Sequence, residues 1–546
     1  MKASELLVKC LENEGVEYIF GLPGEENIDV LDALIDSPIE FVTTKHEQGA
    51  AFIADVYGRL TGRAGVCLST LGPGATNLVT GVADANMDRA PLVAIAGQGA
   101  TTRLHKESHQ ILDLVNLFEP ITKYSTQIRE PEITAEIVRK AFKTAENEKP
   151  GCSFIDFPEN IAAMQVPEGM KPLKKQFATE PVAPRGKCTI AAQYIRKAKA
   201  PVIMVGNGVI RSKASKAVVD FAEKLNIPVA TTFMAKGVMP SSHALSLGAI
   251  GLKGKDYVSF GFEAADLIIC IGVDMVEYHP ELWNPNMDKK ILHIDLRPAE
   301  VDEHYILECG ILGDMNDSLE RIGMKIKEPK PDSKIHQLID VIKAEWAEHK
   351  DDTSFPIKPQ KILWDLRQVL DPEDIVISDV GAHKMWIGRM YQAETPNSCI
   401  ISNGFASMGI ALPGAIAAKV AYPDSKAVAV CGDGGFMMNN QEIDTALRMG
   451  LDFVILIFND SKYGLIEWHQ LRHFDRATAI DFVNPDFVML AESFGAKGYR
   501  VNSAEEFIPT LEAALNDGTV SVIDCPVDYA ENMKLTAKLK TLNSPI

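Results

Sequence analysis

Short, mainly apolar runs recur along the chain. Each ends in a glycine- or acid-bearing turn and is followed by residues of helical periodicity. Residues 16–20 form one such run and lead into Gly21-Leu22-Pro23-Gly24-Glu25-Glu26-Asn27, a turn that opens a helix. Residues 39–43 form the next and end at Lys45-His46-Glu47-Gln48-Gly49, where another helix starts. Residues 65–70 run into Leu71-Gly72-Pro73-Gly74-Ala75-Thr76-Asn77, and residues 91–98 close the set. Runs that are apolar throughout, rather than alternating, suit strands buried on both faces of a parallel sheet. With helices between them they predict a doubly wound α/β domain over residues 1–165, its loops gathered at the strand tips.

Residues 166–187 are rich in Pro, Lys and Glu, a linker composition. A second α/β domain is expected over 188–350, with strands at 201–205 and 266–272. Its Gly206-Asn207-Gly208 lacks the third glycine and the acidic residue in register of a dinucleotide fingerprint. A charged, proline-containing stretch ends near Pro356, and a third domain is expected over 356–546. There the apolar run 375–379 precedes Val380-Gly381-Ala382-His383-Lys384-Met385-Trp386. A further connection carries Ser402-Asn403-Gly404-Phe405-Ala406-Ser407-Met408-Gly409.

The most informative stretch is Cys431-Gly432-Asp433-Gly434-Gly435, at the end of the apolar run 426–430. Helical periodicity over 442–451 and a second apolar run, 453–458, follow, and that run ends at Asn459-Asp460. The unit is βαβ with an acid at the carboxyl end of each strand, where open parallel sheets bind ligands. An Asp-Gly alone is simply a turn. Two side-chain oxygens at neighbouring strand tips suit Mg²⁺ shared with a phosphate, and the glycines admit close approach of a diphosphate.

Length and charge narrow the partners. A chain of 546 residues is too long for one core, and a formal charge of −19 argues against a nucleic-acid or anionic-membrane surface. No run approaches a transmembrane helix, and the first residues read as an amphipathic helix, not a signal peptide. Nine cysteines stand singly, without metal-type spacing, as expected of reduced thiols in the cytoplasm.

Gly-Asp-Gly followed one βαβ unit later by Asn-Asp resembles the signature of thiamin-diphosphate-dependent enzymes. The resemblance covers essentially the whole chain and is most similar to acetolactate synthases of the catabolic type. It implies that Asp433, Asp460 and the carbonyl of Lys462 hold Mg²⁺, with Gly432, Gly434, Gly435, Tyr463 and Gly464 around the cofactor. Many members carry Asn where this chain has Asp460. Lys-His-Glu-Gln-Gly-Ala-Ala resembles the segment whose Glu activates the cofactor by hydrogen-bonding its aminopyrimidine, which assigns Glu47 that general acid–base role. Pro23, Pro73 and Asn77 fall at matching cofactor contacts. Gln110, ten residues before Pro120, matches a Gln that contacts bound intermediates, together with backbone near Gly24. The pattern Asp-Val-Gly-x-His-x-Met-Trp carries over Gly381, Ala382 and His383. Ser407 and Met408 fall where an apolar residue wedges the cofactor into its bent form.

The same resemblance implies carboligation: pyruvate is decarboxylated on thiamin diphosphate and its two-carbon unit joins a second 2-oxo acid, giving 2-acetolactate. It implies active sites shared between subunits of a homodimer or homotetramer. Bound FAD, held by the central domain in biosynthetic relatives, is not expected. Ala249-Ile250-Gly251-Leu252-Lys253-Gly254 departs from the FAD pattern, whereas residues 266–272 and 276–283 are similar to FAD-free members. Trp468 stands one position out of register with a Trp that selects the acceptor, so that role is not transferred. The rival readings are a simple 2-oxo acid decarboxylase and, further off, a non-catalytic subunit with the same fold.

Overall fold

The computed structural model describes residues 1–175, 180–252 and 254–546; Lys253, in the stretch that departs from the FAD pattern, and part of the expected linker lie outside them. Eighteen strands form three six-stranded sheets, parallel throughout. The first contains β1 (Tyr18–Gly21), β2 (Glu40–Thr43), β3 (Gly65–Ser69), β4 (Leu92–Gln98), β5 (Tyr124–Gln127) and β6 (Cys152–Pro158). The second contains β7 (Pro201–Val205), β8 (Val229–Thr231), β9 (Ser246–Ala249), β10 (Leu267–Ile271), β11 (Lys290–Asp295) and β12 (Leu307–Leu312). The third contains β13 (Ile375–Ser378), β14 (Cys399–Ile401), β15 (Ala427–Gly432), β16 (Val454–Asn459), β17 (Lys497–Arg500) and β18 (Ser521–Pro526).

The order of the first sheet is β2-β1-β3-β4-β6-β5 and that of the third is β14-β13-β15-β16-β18-β17. Counted from the first strand of each, the two orders are identical. The chain therefore builds the same topology twice, a duplication its sequence does not display. The middle sheet, β12-β11-β10-β7-β8-β9, has the other doubly wound order, with its reversal between β7 and β10.

Three expectations need correction. Residues 91–98 do not close the first sheet, since β5 and β6 follow. β5 is an edge strand, half-buried at every position, so it lacks the continuous apolar run that marks the inner strands. The stretch read as linker ends earlier, because the helix Arg185–Lys197 begins inside it. And helical structure, expected from 442, starts earlier: Asp433 is the first residue of the helix Asp433–Asn439, directly after β15.

The first and third sheets share one hydrophobic core. Within it the small-residue faces of helices Glu47–Thr61 and Ala411–Ala421 pack together; Ala50, Ala51, Ala54, Ala415 and Ala418 are buried. A polar clasp locks this contact. Glu442, at the start of the helix Glu442–Arg448, accepts hydrogen bonds from the backbone N–H of Lys45 (3.2 Å) and His46 (3.0 Å) and from the Thr445 hydroxyl (2.6 Å). A Cβ on Gly49 would stand 2.6 Å from its Oε1, so this glycine makes room for the carboxylate. Burial pushes the Glu442 carboxyl above its usual range. Removing the acceptor strands buried donors, which costs about 2 kcal/mol. Glu442→Ala should lower stability by about that amount, measured as the midpoint of thermal unfolding, whereas Glu442→Gln, which keeps one acceptor oxygen, should lose less.

Candidate active site

The carboxyl tips of the first sheet gather one cluster of side chains. Glu47 opens the helix that follows β2; His46 caps that helix, its Nδ1 accepting from the Gln48 N–H at 3.1 Å. The helix dipole favours an acid at this position, yet Glu47 is 8% exposed and points inward. The Asn77 amide donates to Glu47 Oε2 at 2.9 Å. Asn77 lies on the helix Pro73–Met87, where Pro73 takes the first position, in which its missing N–H costs nothing. The other carboxyl oxygen, Oε1, faces Gly74, where a Cβ would stand 3.3 Å away.

The wall continues through Thr70 to Gly24, where a Cβ would meet Thr70 Cβ at 2.3 Å. Thr70 in turn donates to Glu26 at 2.7 Å. Gln110 holds the left-handed conformation (φ 57°) and packs on Gly72, where a Cβ would lie 2.9 Å from Gln110 Cβ. Glu47, Asn77, Gly24 and Gln110, separated by up to 86 residues in sequence, are thus brought to one surface. Pro23 lies exposed at its rim.

The tips of the third sheet gather a second cluster. Asp433 Oδ2 accepts from the Ser461 N–H (2.6 Å), the Asn484 amide (2.8 Å) and the Asp460 N–H (3.3 Å); Oδ1 accepts from the Gly434 N–H (2.8 Å). Asp460 stands beside it. Burial and the neighbouring Asp433 push the Asp460 carboxyl up to about 8, and burial raises Asp433 as well. Lys462 turns its ammonium away to Glu467 at 2.8 Å, so its backbone, not its charge, belongs to the cluster. Glycines keep the space open. A Cβ on Gly434 would meet the Tyr463 ring at 2.8 Å, and one on Gly464 would meet Asp460 Oδ2 at 3.0 Å.

His383 is buried beneath this surface, its ring against Gly381 and Gly432. Burial lowers its pKa to about 3, so it is neutral at physiological pH, and Nε2 has no hydrogen-bond partner among the described residues. Ala382 begins the same helix, Ala382–Met390. Ser407 and Met408 lie in the connection between β14 and the helix Ala411–Ala421. That connection is held by the first domain: Asp84 accepts from the Ser402 hydroxyl (2.7 Å) and Ser407 N–H (3.3 Å), and Asp88 from the N–H groups of Asn403 (3.0 Å) and Gly404 (2.6 Å).

Sequence reasoning missed three members of this cluster. Asp379, at the tip of β13, accepts from the Val380 (2.7 Å) and Gly409 (2.8 Å) N–H groups, packs against Gly435, and is pushed up to about 7 by burial. It obeys the same acid-at-strand-tip rule that singled out Asp433 and Asp460. Asn484 comes from an irregular segment and Tyr529 from beyond β18. Neither has a local signal; only the fold brings them in.

Both clusters fit the groups the sequence implies. A buried carboxylate, Asp433, beside the half-buried Asp460, whose pKa burial and Asp433 raise, with glycine-lined space beside them, is an oxygen-donor set suited to a divalent cation. The Tyr529 hydroxyl and Asp379 Oδ2 are also buried without hydrogen-bond partners among the described residues. The central domain is different. The Glu277 carboxylate accepts from the Asn207 and Asp274 N–H groups, both at 3.1 Å, and from the Thr232 hydroxyl. A Cβ on Gly206 would lie 2.8 Å from it. The turn after β7, where a dinucleotide phosphate would take backbone N–H groups, is filled by the chain's own carboxylate, and these residues do not fit FAD.

A cavity of about 780 Å³ leads toward the second cluster, lined by Leu252, Met275, Tyr278, Ala406, Leu465 and His469 among others. Trp468, which also lines this cavity, is buried, donates to the Thr536 hydroxyl at 2.7 Å and stacks on Trp386.

Three family descriptions match the chain: the N-terminal TPP binding domain of thiamine pyrophosphate enzymes over residues 1–117, their central domain over 188–322, and their C-terminal TPP binding domain over 379–525. Acetolactate synthase of Bacillus subtilis is 36% identical, over 98% of this chain and 95% of its own length. A probable acetolactate synthase large subunit of Methanocaldococcus jannaschii is 35% identical over 100% and 96%. The catabolic acetolactate synthase of Raoultella terrigena is 33% identical over 98% and 97%. With two complementary site halves built on twin sheets and similarity along its whole length, the chain belongs to the thiamine pyrophosphate enzymes, alongside the acetolactate synthases.

Proposed function

We propose that this protein joins two molecules of pyruvate into 2-acetolactate, releasing one CO₂. The observation that carries this reading is the pair of clusters: Glu47 with Asn77 at one set of strand tips, Asp433 with Asp460 at the topologically equivalent set. Bound thiamin diphosphate supplies a ring carbon that adds to a 2-oxo acid and accommodates the electron pair left when CO₂ departs.

The chain's own groups then have distinct tasks. Asp433, Asp460 and the Lys462 carbonyl would hold Mg²⁺ and, through it, the diphosphate. Gly381, Ala382, Gly432, Gly434, Gly435 and Gly464 present backbone close to that group. Neutral His383, with Nε2 free, offers it a hydrogen bond without adding charge. Glu47 holds and exchanges the proton at the pyrimidine, with Asn77 fixing one oxygen so that the other does the work. Pro23, Pro73 and Tyr463 border the cofactor, Ser407 and Met408 brace it, and Gln110 with the Gly24 backbone steadies the substrate fragment. The apolar cavity beside Leu465 admits small 2-oxo acids and keeps water scarce.

We take the three units to span 1–165, 188–350 and 356–546. The first and third would meet across subunits of a homodimer or homotetramer to complete each site. Apolar side chains exposed around the third-domain tips, Met437, Met438, Tyr463, Ile466 and Val483, and Ile28 on the first domain, support this assembly. FAD has no place in the reaction. A cytoplasmic location fits nine free, buried cysteines, and no helix among the described residues is long and apolar enough to cross a membrane.

Purified protein given thiamin diphosphate, Mg²⁺ and pyruvate should yield acetolactate as its main product, detected as acetoin after acid treatment; acetaldehyde alone would replace this reading with that of a decarboxylase. Glu47→Gln should still bind the cofactor but slow exchange of its thiazolium C2 proton by about 100-fold or more, followed by NMR in deuterated buffer. Asn484→Ala removes a donor that orients Asp433, and Mg²⁺ affinity should fall about 10- to 100-fold, read by titrating cofactor retention against Mg²⁺.

A further inference from the structure

A second large cavity, about 900 Å³, lies away from both clusters, where the first, central and third domains meet. It adjoins the amino end of β4 and the segment before β6 on one side, and the loops after β7 and β11 on the other. In a chain of net charge −19, nine of its lining side chains are Arg or Lys and only three are Glu.

Internal ion pairs do not use up this charge. Arg59 is committed to Asp88, Arg139 to Glu14, Lys175 to Glu146, Arg211 to Glu148 and Asp274, and Lys216 to Asp220. Arg89, Lys143, Lys213 and Arg297 form no ion pair among the described residues, against a single unpaired lining carboxylate, Glu180. Two guanidinium nitrogens, Arg89 Nε and Arg211 Nη1, are buried without hydrogen-bond partners among the described residues, a cost that a bound acceptor would remove.

The backbone gives an independent indication. Among the described residues, ten other than glycine have positive φ. Gln110, Ala406 and Ser461 belong to the active-site region, and Arg89 (60°), Lys213 (52°) and Asn397 (62°) line this cavity. Such conformations cost of order 1 kcal/mol each or more and collect at ligand sites.

We propose that this cavity binds a phosphorylated small molecule carrying at least two negative charges. The guanidinium groups of Arg89 and Arg297, with the unpartnered Nη1 of Arg211, match phosphate geometry, the lysines add point charge, and the volume is that of a small-molecule site. Through Asn207 it borders the turn that Glu277 fills. Arg59 forms part of its wall and also donates to the Ile401 carbonyl at 3.0 Å, while its partner Asp88 holds Asn403 and Gly404. The cavity thus stands one ion pair from the connection that carries Met408.

The test is calorimetric titration of the full-length protein, saturated with thiamin diphosphate and Mg²⁺, with a hexose bisphosphate as probe and the unphosphorylated hexose as control. Saturable binding with a Kd below about 1 mM is expected for the bisphosphate alone, weakening as salt rises. Lys143→Glu with Lys213→Glu, both exposed positions, should weaken it at least about tenfold, and Arg297→Gln should do so to a smaller extent. Absence of saturable bisphosphate binding, or binding that all three substitutions leave unchanged, would overturn the proposal.

Discussion

Two carboxylates held side by side repel each other, and in this fold that repulsion is built in. Asp433 and Asp460 occupy adjacent strand tips because β15 and β16 are hydrogen-bonded neighbours whose register is fixed through Gly432 and Phe458. Burial first and the Asp433 charge second raise Asp460 to about 8, and a divalent cation bound here would take the proton's place. The surrounding glycines, the Asn484 amide and the Ser461 N–H all serve this one arrangement. The meeting of these two acids, to which the proposed function gives the metal, is thus a consequence of strand order.

The first sheet repeats the topology of the third and uses it differently. The equivalent tips carry Glu47, held by the Asn77 amide, and its proposed task is proton exchange instead of metal binding. One scaffold yields a metal half and a proton half through substitutions at its loops, as expected when function resides in sites grafted onto a common fold.

Much of this was legible in the chain itself, and the boundary is physical. Inner strands such as β15 and β16 are continuous apolar runs, so they announce themselves, and the acids at their ends follow by rule. Edge strands lack that signature; β5, half-buried along its length, went unread, and so did the twin topology, because strand order is a property of tertiary pairing. Glu47, Asp433 and Asp460 could be found from local motifs. Asn484, Tyr529 and the clasp of Glu442 on Lys45 could not, since each acts across hundreds of residues or from irregular backbone. Asp379 satisfied the strand-tip rule and was passed over. Glu277 shows the same limit from the other side: its glutamate is unremarkable in sequence and decisive only where it fills the turn after β7.

The clasp between Glu442 and the start of the Glu47 helix fuses a proton half to a metal half within each chain, while the proposed assembly pairs each half with its complement on another chain. In genetic terms, losses of Glu47 and of Asp433 are then complementary alleles. A mixed dimer of the two places both lesions in one site and leaves the other site whole, so two inactive genes expressed together restore part of the function that neither encodes.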